Sequence, residues 1–446
     1  MAELPPSIAF MLSEFPGKQL AFADVTKRLR DKAFVKDFFD QCLAGIGTFE
    51  YADRLAPRFD KFDLYAGHSL DPLSDDGKCS EFGCRIAYAH QFARTACLYA
   101  DRVVVSDPFS FTFEATHSEI FESLAILKVL RPLLEAGVIV FGPAAYGACG
   151  HCMKASRAAE KQVTSQLWHE FTDAEPNVFR YKDGRRWCLS FGSPLFENAG
   201  GEYRFTAPAT KEAIAATKSD TILNGKAAME LVRRYRKSLQ GHFAQCAHGV
   251  VFSSNMGSNC NSTVAASTRE EAVGYRLLDS RKVGIIAPDW STLRTVPLPA
   301  LQRLTASQAM QVREEAEKAM PAFRARLQRD LMSLKDISDD GEEKRAIEVA
   351  ADLRVAAREL QGQLAGVRLP SIRRSEKLFA GLAVVLEIVA LSTGNVSALT
   401  AASGTFVALL LAAHSSERDR KKKHEELVHQ PAYVLLAAER IHASKH

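Results

Sequence analysis

Cys149-Gly-His-Cys152 places two thiols three positions apart. The apolar run Val138-Ile-Val-Phe141 lies before it, and a stretch with helical spacing, Met153 to Phe171, lies after it. A helix N-terminus favours a thiolate, and His151 adds a nearby donor, so the placement points to thiol chemistry. The same pair supports a second reading with Cys79 and Cys84. A Cys-x4-Cys and a Cys-x2-Cys, about 65 residues apart, can supply four thiolates to tetrahedral zinc, with His151 or His68 in place of one. In a third reading the thiols are reduced packing residues without chemistry.

Acids form the next candidate. Asp107 closes the run Arg102-Val-Val-Val-Ser106, and ligands of parallel sheets gather beyond the carboxyl ends of strands. Asp107 and the loop 142–152 are therefore expected to share a crevice. Asp101, Asp107, Glu114 and Glu119 together are a candidate divalent-metal cluster, with solvated turn acids as the alternative. Cys260 with His242 or His248 is a weaker nucleophile pair. Asn224-Gly-Lys226 lacks the glycine and hydroxyl of a phosphate-binding loop, and neither Gly-x-Ser-x-Gly nor His-Glu-x-x-His occurs.

These residues need elements to hold them. Residues 1–100 read mostly as short helices, with Phe34, Val35, Phe38, Phe39 and Cys42 on one face and a second helix from Arg85 to Ala100. His68 to Gly77 reads as a turn-rich loop. Arg102–Asp107 is a β-branched run stopped by Pro108, His117–Glu135 has helical spacing stopped by Gly137, and Val138–Phe141 is a second strand. That strand–helix–strand unit predicts parallel pairing. Turns at Asp183-Gly184 and Gly200-Gly201 predict antiparallel strands over 178–205. Residues 225–247 read as a helix with a basic face (Arg233, Arg234, Arg236, Lys237), and Val250-Val-Phe252 and Val283–Ala287 as short strands.

Prolines 288, 297 and 299 mark a boundary near residue 300. Beyond it Thr305 and Gln308 resemble a capping box, and Phe323, Leu327, Leu331 and Leu334 form a stripe with a kink expected at Pro321. After a turn at Ser338–Gly341, Leu353, Leu360 and Val367 line a returning antiparallel helix. The expected fold class is thus mixed α+β. It comprises a helical part (1–100), an α/β module (101–299), an antiparallel helical stalk (300–370), and a hydrophobic hairpin with a C-terminal helix (371–446).

Residues 378–413 carry a single charged residue, Glu387, and Gly394-Asn395 near their middle reads as a turn. The two halves reach about 24 and 27 Å as helices, close to a hydrocarbon core of about 30 Å. Arg373, Arg374 and Lys377 precede them, and Arg418 and Arg420 to Lys423 follow, which puts both ends on the cytoplasmic face. Leu378, Leu386, Glu387, Phe406 and Leu410 would meet lipid in this reading. The alternative is a soluble hairpin buried against the stalk. A further amphipathic helix, Pro431–Ile441, follows.

The whole chain has 446 residues, 47% of them hydrophobic and 25% charged, which excludes a wholly disordered or mini-protein reading. Its net charge of +4 gives no specific nucleic-acid signal. Nine cysteines, an odd number in a long chain, fit reduced thiols better than a secreted disulfide framework. The stretch from Met1 to Leu20 has Glu3 and two adjacent prolines rather than a basic start and a long apolar run, so the expected location is cytoplasmic, peripheral or integral at the inner membrane.

Cys149-Gly-His-Cys152 resembles the active-site tetrapeptide of protein disulfide isomerases, although Ala148 stands where those enzymes carry Trp. The resemblance implies that Cys149 attacks and Cys152 resolves. Tyr99–Pro108, Arg131–Val140, Phe323–Leu327 and His429–Tyr433 resemble uncharacterised bacterial proteins of similar layout; this implies a bacterial origin and no particular activity. Two functions are therefore carried forward. One is a conditional effector or sensor at the inner membrane, acting in stress or phage (antiviral) defence and self-associating through helices 305–366. The other is a soluble zinc-stabilised or thiol-redox protein with the hairpin as core. Whether the chain is an enzyme stays open.

Overall fold

Val103, Val104 and Val105 are buried on both sides, and consecutive β-branched residues suit a strand covered on both faces. They form β2 (Arg102–Ser106), which pairs in parallel with β3 (Ile139–Gly142) through Val103↔Ile139 to Ser106↔Gly142. The expected crossover helix is α5 (His117–Glu135), the fifth among the described residues. Thr116 caps it: its hydroxyl accepts from the Glu119 amide, and the Glu119 carboxylate accepts from the Thr116 amide. Ile120, Leu124, Leu127, Leu130 and Leu134 are all buried, as their spacing requires.

The computed structural model describes residues 4–48 (without 18), 63–67, 70–74, 81–110, 115–142, 149–198, 201–202, 204–217, 221–266, 268–279, 304–325, 348, 351–352, 355–357, 359–361 and 422–443. The described residues fall into two units, one up to Met310 and one from Gln311 onward.

In the first unit, α1 (Pro6–Glu14), α2 (Phe22–Leu29) and α3 (Lys32–Thr48) precede β1 (Asp63–Tyr65). Phe34, Phe38 and Cys42 form the buried face of α3, as their spacing predicts. α4 (Phe82–Tyr99) leads into β2. β1 lies within the span read as mostly helical. It pairs in parallel with β2 and also with β9 (Thr263–Val264), giving the sheet order β3-β2-β1-β9. Buried Asp63 and Arg102, directly paired in register, form an ion pair between β1 and β2.

α6 (Gly150–Asp173) follows β3. Antiparallel strands β4 (Asn177–Asp183), β5 (Arg186–Gly192) and β8 (Phe205–Pro208) form a second sheet, and β6 (Glu197–Asn198) pairs with β7 (Gly201–Glu202). Gly184 takes φ +57° at the β4–β5 turn, a conformation glycine adopts at little cost. After α7 (Lys211–Ala216), the basic helix proves to be two, α8 (Gly225–Arg234) and α9 (Arg236–Asn259). α10 (Arg269–Asp279) follows β9. Val163, Leu167 and Phe171 of α6 pack with Val178, Leu189, Phe191, Leu231 and Phe243 in one core.

Val250-Val-Phe252 is not a strand but lies inside α9. Leu239, Phe243, Ala247, Val250 and Met256 are buried at helical spacing, and that period outweighs a three-residue β-branched run. α11 (Ala306–Glu315) has the expected cap, with Thr305 N–H donating to Gln308 Oε1 and the Gln308 amide to Thr305 Oγ1.

In the second unit, the chain turns at 316–319 and is helical again over 320–325, so the interruption falls just before Pro321. Helical stretches at 422–428 and α12 (Tyr433–Ala443) follow. Phe323, Leu360, Leu427, Val434 and Ala438 are buried. The expected strand at Val283–Ala287, the stalk turn at Ser338–Gly341 and the hydrophobic hairpin 378–413, with Leu378, Leu386, Glu387, Phe406 and Leu410, lie outside the described residues. Among the described residues no helix is long and apolar enough to cross a membrane.

Candidate thiol site

Cys149 occupies the N-cap of α6, with extended backbone angles (φ −71°, ψ 163°). Its sulfur takes the role a Ser or Asp oxygen usually plays there, accepting from the Cys152 amide at 3.5 Å. The Cys152 thiol lies within hydrogen-bond reach of the same sulfur, with the two Sγ atoms 3.5 Å apart. Both side chains are exposed.

The two thiols titrate in opposite directions. The Cys152 amide and thiol, with the His151 amide, hold the Cys149 thiol below its ordinary pKa. Cys152 is pushed up, first because its proton is committed to the Cys149 sulfur and then by the neighbouring negative charge. The help expected from His151 comes from its main-chain N–H. The result is a more acidic thiol at Cys149 beside a less acidic one at Cys152.

The mounting of α6 explains why the pair stays exposed. The far half of the helix is anchored by Val163, Leu167 and Phe171. Nearer the thiols, Glu160 meets His248 Nδ1 at 2.9 Å and Ser156 Oγ accepts from Asn255 Nδ2 at 3.2 Å, tying α6 to α9. The first turns beyond the cap are exposed, and Met153 stands 46% exposed beside the thiols.

The other candidates separate. Asp107 is buried: Oδ1 accepts from the Phe109 amide at 2.8 Å, Oδ2 accepts from Ser7 Oγ at 3.2 Å, and Ser110 adds a third donor. Burial raises its pKa despite these bonds. It is a buried turn-former, and among the described residues the acidic cluster does not assemble around it. Asp101 lies at the opposite end of β2, Glu119 is used in the α5 cap, and Glu114 lies outside the described residues.

Cys84 is exposed on α4, and Cys79 lies outside the described residues. Among the described residues, no group of three or more His, Cys, Asp or Glu side chains is placed to hold a metal. Cys260 is buried against Tyr65, Val104 and Met256, and burial pushes its thiol up to about 11. His248 stands 12 positions before it along α9, about 18 Å, and engages Glu160, while His242 engages Glu270, so the nucleophile pair does not form.

One site escaped the sequence reading. The order β3-β2-β1-β9 reverses between β1 and β9, which is where ligands of open parallel sheets usually bind. Here the chain fills that point itself. A Cβ on Gly67, just past β1, would lie 2.6 Å from Ser253 Oγ and 3.1 Å from the Tyr275 hydroxyl. Tyr65, Ala66, Ser253, Ala266 and Tyr275 are all buried there. With strands of three and two residues, no sequence period marks the reversal.

Compared with known proteins, the chain matches no family model, no curated protein and no solved structure.

Proposed function

We propose that the chain is a thiol–disulfide protein working through Cys149 and Cys152. The observation that carries this is the capped, exposed pair with sulfurs 3.5 Å apart and unequal acidities. The Cys149 thiolate attacks one sulfur of a partner disulfide, forming a mixed disulfide and expelling the other partner sulfur as thiolate. Cys152 then gives up its proton and attacks the Cys149 sulfur. The Cys149–Cys152 bond forms, the mixed disulfide breaks, and the partner leaves with both sulfurs reduced. Two electrons pass from the dithiol to the partner. Exposed Met153 offers an apolar contact for a bulky disulfide partner.

Alkylation by iodoacetamide across pH, read by peptide mass spectrometry, tests the reading. Cys149 should react at lower pH than Cys152 or Cys84. Cys149→Ser should abolish reduction of a model disulfide, whereas Cys152→Ser should trap a mixed disulfide on Cys149. Equal titration of all three thiols would remove the proposal. Zinc measured in the purified chain, lost in Cys149→Ser, would favour the zinc-stabilised reading; two sulfurs 3.5 Å apart also suit two corners of a tetrahedral thiolate site.

A second reading rests on the sequence 378–413 with its basic flanks. It is that the protein meets the inner membrane conditionally, as an effector or sensor in stress or phage defence.

A further inference from the structure

The sulfurs of Cys149 and Cys152 offer a metal a bite of fixed width. They stand 3.5 Å apart on exposed side chains at the start of α6. A zinc–thiolate bond is about 2.3 Å long, so two such bonds spanning that gap meet at roughly 100°. That angle is close to the tetrahedral value of about 109° and far from a straight two-coordinate arrangement. A closed tetrahedral zinc site takes four ligands, and the pair supplies two. Among the described residues no His, Cys, Asp or Glu side chain stands with them as a third.

The helix that carries the pair can meet a copy of itself. From Cys152, helical spacing puts Ala155, Ser156 and Ala159 on the same face of α6. Ser156 turns toward Asn255 of α9, while Ala155 is exposed and Ala159 half-buried. Side chains this small let a second helix come close. Lys154 and Arg157 fall about 200° and 140° round the helix from Cys152, so a contact along the Cys152 face does not bring these cations together. Four thiolates around one zinc ion carry a net charge of about −2. The positive end of each α6 dipole faces that charge. The Cys152 amide, which donates to the Cys149 sulfur at 3.5 Å, is the kind of outer contact that orients a metal ligand.

We propose that Cys149 and Cys152 bind one zinc ion together with the same two residues of a second copy of the chain. A two-fold axis through the metal completes the tetrahedron with two equal bites and makes the contact self-complementary. The four thiols release their protons to solvent as the metal binds, and no electron is transferred. The proposal uses the thiol pair of the proposed function without its disulfide exchange.

Titration of the reduced, metal-free full-length chain with zinc alone tests it, with light scattering reading mass and elemental analysis reading metal. One zinc should bind per two chains, the mass should double, and a chelator should return the monomer. Cobalt(II) in place of zinc should give the visible absorption of a tetrahedral four-thiolate site. Cys149→Ser and Cys152→Ser should each abolish metal uptake and the dimer, with circular dichroism checking that they stay folded. Ala155→Arg keeps both thiols but crowds the contact, so it should weaken zinc-driven dimerisation by about 5- to 150-fold. Failure to bind zinc overturns the proposal. So does one zinc held by a monomer and lost in Cys79→Ser or Cys84→Ser, which would put all the ligands in one chain. A dimer that survives both the chelator and Cys149→Ser overturns it as well, as does unchanged dimerisation of folded Ala155→Arg. A chain whose Cys149 alkylates early under chelation but takes up no zinc would end this proposal and leave the disulfide reading standing.

Discussion

At the scale of single residues, two acidic groups meet opposite fates. Cys149 keeps its solvent and gains amide donors, so its anion is favoured. Asp107 also gains donors, but it loses its water, and desolvation outweighs three hydrogen bonds. A raised carboxyl pKa means that the native state binds the proton more tightly than the unfolded chain. Below the ordinary carboxylate range both states are protonated, and this group's contribution does not change with pH. It is lost as pH rises through the interval between the unfolded and the higher native value. Asp107→Asn removes the titration and keeps both the Oδ1 acceptor for Phe109 and the shape. The variant should be at least as stable as the parent near neutral pH. Urea midpoints measured from pH 4 upward should show less loss with rising pH in Asp107→Asn; parallel curves would contradict the burial argument.

At the scale of elements, legibility followed length. β2 and β3 could be read as β-branched runs and α5 and α6 because each repeats its period several times, and the thiol pair was legible because it sits on one of these joints. β1 and β9 offer three and two residues, too few to show a period. The reversal of strand order they create was invisible for that reason. What seals that point is a close fit: the missing Cβ of Gly67 would fall 2.6 Å from Ser253 Oγ and 3.0 Å from its Cβ. Gly67→Ala should therefore destabilise by about 1–3 kcal/mol through overpacking. Ser253→Ala in the same chain removes the nearer contact and should recover part of the loss, a coupling that a double-mutant cycle measures. Simple additivity would mean that Gly67 and Ser253 do not press on each other.

At the scale of the whole molecule, the open choice is what residues 378–413 meet. Leucine, isoleucine, phenylalanine and valine each favour lipid by roughly 0.3–0.6 kcal/mol, while one central acid opposes by about 2.5. Insertion of the first half is therefore only mildly favourable, and Ser397, Thr400, Ser403 and Thr405 bring the second half near balance. So small a margin makes the flanks decisive. Each Lys or Arg near an anionic surface adds about 1 kcal/mol, and several stand on either side. The full-length chain should float with vesicles containing anionic lipid and much less with neutral vesicles. Leu386→Arg with Leu410→Arg should abolish flotation, since each arginine adds about 2.5–3.5 kcal/mol at a helix centre. Electrostatic adsorption alone would leave that double variant bound, because its added charges are positive. Flotation that persists would then place the segment outside lipid, and a chain that never floats would assign the same apolar surface to protein contacts.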